Sequence, residues 1–228
     1  MGDAAPVSDS TSEGARRRGR PPRVSREQLV DAAITVMHEG PDEPLTMARV
    51  AERAGVSPMA LYRHFRDRDE LVDEVVMQLL EARNATVPVD GPWQEQLRVW
   101  VLGGVEHLVP CSQVVGIALT GGTHGWLYAA ATLSRILELA GCDDDQVAEL
   151  QTWIALSVGG YVMAEAARRK GPNTADTYAA LARLAPDDAA RLARLMPRID
   201  QAFDHMHDRF AARIIRAVED ETNPGGKQ

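Results

Sequence analysis

The 228-residue sequence has few of the features that mark exported, metal-binding or membrane proteins. Its two cysteines, Cys111 and Cys142, are not spaced as metal ligands and are too few for a disulfide framework. No apolar run approaches the ~18 residues of a membrane span, and the polar N-terminus has no apolar signal core. We therefore expect a cytoplasmic protein with no metal and no cofactor.

Catalytic constellations are also missing from the sequence. We find no Ser-His-acid or Cys-His arrangement, and His205 and His207 are two positions apart on a helix, so their side chains point in different directions. The glycine-rich stretch from Thr120 to Gly125 lacks the lysine and the spacing of a phosphate-binding loop. The sequence thus predicts that the protein is not an enzyme.

Charge is present but unevenly distributed. The net charge is −8. The segment from Gly14 to Arg68 nevertheless has eleven arginines and seven acidic residues, whereas residues 69–228 have fourteen basic and twenty-three acidic residues. A basic end on an acidic body directs one surface towards phosphate and keeps the rest away from it. This pattern favours a nucleic-acid partner for the N-terminal part.

The stretch from Thr46 to Leu71 has the pattern of two short helices joined by a turn. Thr46 is a capping residue type, Gly55 stands where a helix ends with positive φ, and Ser57 followed by Pro58 begins another helix. One helix precedes this pair, starting at Ser25, where Gln28 could complete a capping box. A further helix follows from about Asp67 to Asn84.

This N-terminal region, from Ser25 to Leu71, resembles the DNA-binding domain of the tetracycline repressor (TetR) family of bacterial transcription regulators. The residues that carry the resemblance are Thr46, Val50, Ala51, Ala54, Gly55, Val56, Leu61, Tyr62, His64, Phe65, Arg68 and Leu71. It implies that Thr46, Tyr62, His64 and Arg68 bind phosphates. It also places Pro58, Met59 and Ala60 where bases are read, although these side chains offer only apolar contact.

An arginine-rich arm precedes the helix-turn-helix. Arg18-Gly19-Arg20-Pro21 resembles the core of an AT-hook, which lies in the narrow minor groove of A·T-rich DNA. The alternative is a solvated charge run. The predicted DNA contacts are Arg18, Arg20, Thr46, Arg49, Ser57, Pro58, Met59, Ala60, Tyr62, Arg63, His64 and Arg68.

The remainder reads as helices without strand alternation, which predicts an all-α protein. We expect a three-helix helix-turn-helix domain joined by a rigid fourth helix to a helical ligand-binding and dimerisation domain. The expected divisions are a disordered tail and basic arm at 1–24, a DNA-binding domain at 25–71, a body at 72–222 and a disordered tail at 223–228.

Two helices of the body are candidates for dimerisation. The helix from Asp143 to Arg168 contains a small-residue stretch, and a final helix from Arg198 to Glu219 has an apolar seam. The alternative is that both pack within one chain. The predicted interface residues are Ser157, Gly160, Ile199, Phe203, Met206, Phe210 and Ile214.

The body also contains aromatic and polar residues that could line a small-molecule pocket, although core packing is the alternative for each of them. The candidates are Trp100, His107, Thr120, Trp126, Trp153 and Tyr161. The Trp93-Gln-x-x-Leu-Arg98 pattern loosely resembles the ligand-binding domain of the tetracycline repressor itself. The polar side chain that binds the drug in the tetracycline repressor corresponds to a position at or near Trp100 of this sequence. Tetracycline is therefore not the expected effector.

These observations predict a homodimeric repressor, released from a palindromic DNA operator by a small apolar or aromatic effector. The second hypothesis is a DNA-binding regulator without a ligand, whose body only dimerises or binds a protein partner. An enzyme attached to a DNA-binding head is the third, and the missing catalytic residues argue against it.

Overall fold

The computed structural model describes residues 24–119, 124–171 and 174–223. Within these ranges the regular elements are helices, which confirms the predicted all-α class. The helices are α1 (Arg26–Glu39), α2 (Met47–Arg53), α3 (Pro58–Leu61), α4 (Arg68–Asn84), α5 (Trp93–Leu108), α6 (Ser112–Leu119), α7 (Trp126–Leu139), α8 (Asp144–Arg169), α9 (Thr174–Leu181), α10 (Pro186–Phe203) and α11 (Met206–Thr222).

Local capping interactions define the boundaries of the first three helices. Ser25 and Gln28 form the predicted capping box, and the Thr46 hydroxyl accepts a hydrogen bond from the Arg49 amide, as a cap of α2 should. Gly55 lies in the turn between α2 and α3 and has a φ of +68°, a conformation that other residues rarely adopt. The sequence therefore specifies this turn through interactions that span only a few residues.

Helix α4 connects this N-terminal region, which we call the head (residues 25–67), to the remaining helices, which we call the body. Asp67 caps it by accepting a hydrogen bond from the Glu70 amide at 2.9 Å. Helix α4 packs against α1 of the head and against α5, α6 and α7 of the body. Helix α4 therefore contacts both the head and the body directly.

The end of the chain differs from the sequence prediction. Instead of one helix from Arg198 to Glu219, α10 ends at Phe203 and α11 begins at Met206. Helix α11 buries Ala211, Ile214 and Val218 and packs on α5 and α8. Helix α10 contacts mainly α9 and α11. Residues 204 and 205 separate α10 from α11. An apolar seam alone does not reveal such a break.

A buried carboxylate lies near the C-terminal end of α8. The side chain of Glu165 is only 1% exposed and accepts hydrogen bonds from Arg168 at 2.8 and 3.0 Å and from Arg169 at 3.0 Å. The arginine hydrogen bonds, those from Arg168 foremost, lower the pKa of Glu165 from 4.5 to about 2. The ionised carboxylate is thus part of the folded structure.

We expect this carboxylate to make the stability of the body pH-dependent. Because the folded pKa lies below the ordinary value, Glu165 contributes stability above pH 4.5 and loses it as the pH falls towards 2. A Glu165→Gln variant should have a lower Tm at pH 7 and a flatter fall in Tm between pH 4.5 and 2. Thermal unfolding across this range measures both, and Glu138→Gln, an exposed position on α7, is the matched control. An unchanged slope for Glu165→Gln would contradict the assignment.

None of the helices in the three described ranges is both long enough and apolar enough to span a membrane.

Candidate nucleic-acid interface and ligand cavity

The two faces of the short helix α3 have opposite exposure. Leu61 and Phe65 are buried at 0% and 1% exposure, whereas Met59 is 72% and Tyr62 49% exposed. Thr46, Ser57, Pro58 and Arg63 are exposed as well, and Ala60 and His64 are half-buried. These predicted DNA-contact residues are thus at least partly exposed, and we call them the outward surface of the head. Arg18 and Arg20 lie outside the described residues.

Two further arginines predicted to contact DNA are held against the head itself. Arg49 donates a hydrogen bond to the Pro44 carbonyl at 2.9 Å and forms an ion pair with Glu43 at 3.0 Å. Arg68 donates to the Leu45 carbonyl at 2.8 Å. Contact with DNA through the guanidinium of Arg49 would therefore need rearrangement of its ion pair.

Arg26 fixes the position of α3 relative to α1 and α4, a role that the sequence did not indicate. Its guanidinium donates to the His64 carbonyl, forms ion pairs with Glu70 at 2.8 Å and Glu74 at 3.0 Å, and lies 4.3 Å from the centre of the Phe65 ring. These partners are distant in sequence, so no local pattern connects them. Arg26 therefore holds the outward surface of the head in place.

Contacts also join the head to the body besides α4. The Leu45 amide donates to the Gln113 side-chain oxygen of α6 at 3.1 Å, and Lys170 at the end of α8 forms an ion pair with Asp42. Leu45 directly precedes Thr46, the cap of α2. A shift of α6 would therefore displace Leu45 and, with it, the start of α2.

A cavity of ≈ 330 Å³ lies in the body between α4, α5, α6, α7 and α8. Its wall is mainly apolar. The lining residues include Val76, Leu79, Leu80, Arg83, Trp100, Leu108, Val114, Val115, Trp126, Ala129, Ala130, Leu133, Gln151, Thr152, Ala155, Leu156, Val158 and Gly159. Trp126 and Leu156 are 45% and 56% exposed, so they mark the side on which the cavity opens to solvent.

Of the six pocket residues predicted from the sequence, the structure brings Trp100 and Trp126 to this cavity. Thr120 lies outside the described residues, and His107, Trp153 and Tyr161 do not line the cavity. Trp153 lies on the outer side of α8, 45% exposed, because α8 turns Gln151 and Ala155 inward instead. Tyr161 stacks on Phe210 with 4.6 Å between ring centres, and His107 binds its own helix at the Gly103 carbonyl.

The predicted dimer residues are divided between two environments. Gly160 and Ile199 are exposed, whereas Ser157, Phe203, Met206 and Phe210 are half-buried and Ile214 is 1% exposed within its own chain. Part of the predicted seam thus packs internally, as the alternative proposed. A different apolar stripe on α8 remains exposed, formed by Trp153, Leu156, Gly160 and Met163, and we call it the α8 stripe.

Comparison with known proteins gives three kinds of similarity. Residues 29–75 match the family described as bacterial regulatory proteins, tetR family. The tetracycline repressor protein class D of Escherichia coli is 30% identical over 78 residues, which cover 33% of this chain. That match spans only 36% of the repressor's length.

Solved structures match over most of the chain. A possible TetR family transcriptional regulator from Streptomyces coelicolor A3(2) superposes with a TM-score of 0.68 at 22% identity, covering 86% of this chain and 98% of that one. BioQ bound to its double-stranded DNA operator gives 0.56 at 24% identity, over 64% and 89%. ActR of Streptomyces coelicolor in complex with (S)-DNPA gives 0.62 at 18% identity, over 86% and 98%. These likenesses establish the fold of most of the chain.

The helix-turn-helix residues, the family match over residues 29–75 and the sequence relative agree with one another, and the fold of the whole chain is consistent with them. We therefore identify residues 29–75 as a domain of the family described as bacterial regulatory proteins, tetR family, within a chain that shares the fold of the solved structures above.

Proposed function

We propose that the protein is a homodimeric, DNA-binding transcriptional repressor that an apolar or aromatic small molecule releases from a palindromic operator. The observation that carries the proposal is the outward surface of the head, where Met59, Tyr62 and Arg63 are exposed around a buried Leu61 and Phe65. A helix N-terminus with exposed donors suits a phosphate-lined groove. The structure of BioQ with its operator supports this for a protein of the same fold.

The proposed division of labour follows the sequence prediction. In this proposal residues 1–24 are a tail and a basic arm whose Arg18 and Arg20 contact DNA, residues 25–71 bind DNA, residues 72–222 bind the effector and dimerise, and residues 223–228 are a tail. Binding to chromosomal DNA places the protein in the cytoplasm. We propose no catalytic activity, metal or cofactor for any of these parts.

Release by a ligand is supported by the position of the cavity. Val76, Leu79 and Leu80 of α4 form part of its wall, and the head lies at the N-terminal end of the same helix. A ligand that displaces α4 changes the orientation of the head, provided that it binds the DNA-incompetent state more tightly. The volume falls within the ~300–1,000 Å³ range of ligand pockets, which favours this hypothesis over a ligand-independent regulator.

Selection of duplexes from a random-sequence library by the full-length protein tests the DNA-binding part. We expect palindromic sites whose half-sites are about 34–36 Å, or a multiple of that distance, apart. Recovery of no enriched sequence would overturn DNA binding. Titration of the selected complex with apolar and aromatic compounds then separates the two hypotheses, because a complex that none of them dissociates supports the ligand-independent regulator.

Arg63 is an exposed arginine on the outward surface of the head, so its replacement tests whether that surface binds DNA. If Arg63 binds a phosphate, Arg63→Ala should lower the slope of log K against log salt by about one unit, and if it binds a base edge, discrimination at one position should fall. Fluorescence anisotropy on the selected duplex at several salt concentrations measures both. Arg209→Ala, an exposed arginine of α11, is the control. Equal behaviour of the two variants would remove Arg63 from the interface.

Dimerisation is proposed to use the α8 stripe together with the exposed apolar face of α10, which includes Leu192 and Ile199. In a single chain a methyl group at Gly160 would meet nothing within 4 Å, so Gly160→Ala should stabilise an isolated helix by roughly 1 kcal/mol. If a second copy packs there, the same change should instead weaken the dimer. Sedimentation at decreasing protein concentration measures the dissociation constant.

A charge on the same surface gives a stronger test of the dimer. Met163→Glu should dissociate the dimer, because it places a carboxylate in the α8 stripe, whereas Val89→Glu places one at an exposed apolar residue outside it. If Met163→Glu remains as dimeric as Val89→Glu, the interface lies elsewhere.

A further inference from the structure

Arg83 is a buried cation in the wall of the cavity. It is 2% exposed, and its guanidinium lies over the Trp100 ring, 4.1 Å from the ring centre. Burial lowers the pKa of Arg83 to about 10, so the group remains charged at neutral pH. Its hydrogen bond to the Asn84 side chain is long, at 3.4 Å, and no acidic side chain in the described part of the chain forms an ion pair with it. A buried charge without a partner is unfavourable unless something else neutralises it.

Two buried donors in this wall lack acceptors. Among the residues that the structure describes, the Nε–H of Arg83 and the indole Nε1–H of Trp100 have no hydrogen-bond partner, and both residues line the cavity. Neither side chain can accept a hydrogen bond, so only an oxygen or another acceptor can satisfy them. An anionic oxygen does so best, because hydrogen bonds between charged groups are stronger than neutral ones.

The neighbouring helix leaves room for the guanidinium. A Cβ atom at Gly104 of α5 would lie 3.3 Å from Nη1 of Arg83 and 3.3 Å from Cγ1 of Val158, and one at Gly103 would lie 3.6 Å from Cγ of Arg83. Glycine is unfavourable inside a helix. Gly104 therefore accommodates the arginine at a cost to α5, which argues that the buried position of Arg83 is used.

The rest of the cavity defines the remainder of the ligand. Of the described residues that line the cavity, Arg83 alone is charged, which matches a ligand with a single negative charge rather than a phosphate ester with two. Leucine, valine and alanine side chains from α4, α6, α7 and α8 form most of the rest of the cavity lining.

We propose that the effector is an apolar monocarboxylic acid, with an aromatic acid as the best fit. Its carboxylate pairs with the guanidinium of Arg83 and accepts the Trp100 indole N–H, and its apolar body lies between α4 and α7. This identification rests on the proposed function insofar as it assumes that the cavity is the effector site.

Four pairs of ligands of increasing size test the proposal: benzoate, 2-naphthoate, biphenyl-4-carboxylate and anthracene-9-carboxylate, each against its carboxamide. Acid and amide have nearly the same shape and differ in charge. Calorimetric titration of the full-length protein without DNA gives Kd for each pair. For the best-fitting pair we expect the acid to bind at least about tenfold more tightly than the amide, as for a hydrogen bond to a charged group.

The Arg83→Met variant supplies the decisive comparison. It should fold with a Tm equal to or above that of the wild type, because it removes an unpaired buried charge, and its preference for the acid should fall to less than about threefold. Arg209→Met, which removes an exposed charge outside the cavity, should keep the wild-type preference.

Three results would overturn the proposal: no binding of any of the four acids, equal binding of acid and amide to the wild type, or an acid preference that persists in Arg83→Met. These titrations contain no DNA. A failure here is therefore distinct from a failure of the proposed regulatory function, which the DNA selection and release experiments measure separately.

Discussion

Replacement of Phe65 by alanine is expected to destabilise the head by about 3–5 kcal/mol, since it removes a fully buried aromatic side chain. The Phe65 side chain is 1% exposed, packs with Leu61 in the core of the head and lies 4.3 Å from the Arg26 guanidinium. Its loss leaves a cavity and removes the surface on which Arg26 rests. Because Arg26 also holds the His64 carbonyl, the exposed surface of the head should lose its order, and DNA binding should be lost with it.

Denaturant unfolding of the full-length protein measures this effect, and Met59→Ala is the matched control. Met59 is 72% exposed, so its truncation should change stability by less than about 0.5 kcal/mol. If Met59 contacts DNA, that variant loses affinity without losing stability. A Phe65→Ala protein as stable as Met59→Ala would contradict the packing described for the head.

Gly125→Ala should be the most damaging single methyl group added to the body. A Cβ atom at Gly125 would lie 2.6 Å from Cγ1 of Val76 and 3.0 Å from the backbone nitrogen of Met77. The start of α7 therefore rests directly on α4, and the two helices must separate to admit the methyl group. Overpacking of this kind costs roughly 1–3 kcal/mol.

A matched glycine distinguishes this contact from a general effect of alanine. A Cβ atom at Gly103 would meet its nearest neighbours at 3.6 Å, an ordinary contact distance, so Gly103→Ala should be neutral or stabilising by up to about 1 kcal/mol. Chemical denaturation compares the two variants. If both are equally stable, α4 and α7 have freedom to move that the structure does not indicate. The displacement expected in Gly125→Ala should also weaken binding to the selected duplex, because α4 positions the head.

Helix α7 holds α4 at further points, which explains why this spacing matters. His124 donates its amide proton to Asp73 at 2.8 Å, and the Asn84 side chain donates to the Tyr128 carbonyl at 2.7 Å. Together with Gly125, these contacts fix both ends of α4 along the wall of the cavity. In the proposed mechanism, a ligand between α4 and α7 would act on the same contacts as the Gly125→Ala substitution.

The boundaries of the head were predictable because they depend on neighbours in the sequence. Ser25 with Gln28, Thr46 before α2, Gly55 at the turn and Ser57 before Pro58 all behave as their residue types predict. In the body, Pro110 lies two residues before α6 and Gly125 lies directly before α7, so residues that interrupt helices again mark where a helix begins.

Candidate pocket residues were harder to predict, because a helix has more than one apolar face. Trp153 and Trp100 look equivalent in the sequence. In the structure, Trp153 lies on the exposed face of α8, whereas Trp100 lines the cavity. The choice depends on which face of α8 meets α6 and α7. The same reasoning applies to Ile214, which was predicted to lie at the dimer interface. It is instead buried within its own chain, because α11 packs on α5.

By itself, the sequence determined the all-α class, the helix-turn-helix and its caps, because these follow from periodicity and from hydrogen bonds between residues three or four positions apart. Only the tertiary structure decided the role of Arg26, the contact of Gly125 with α4, the break between α10 and α11 and the burial of Arg83 beside Trp100. Each of these depends on groups that are far apart in the chain and meet only when the helices pack.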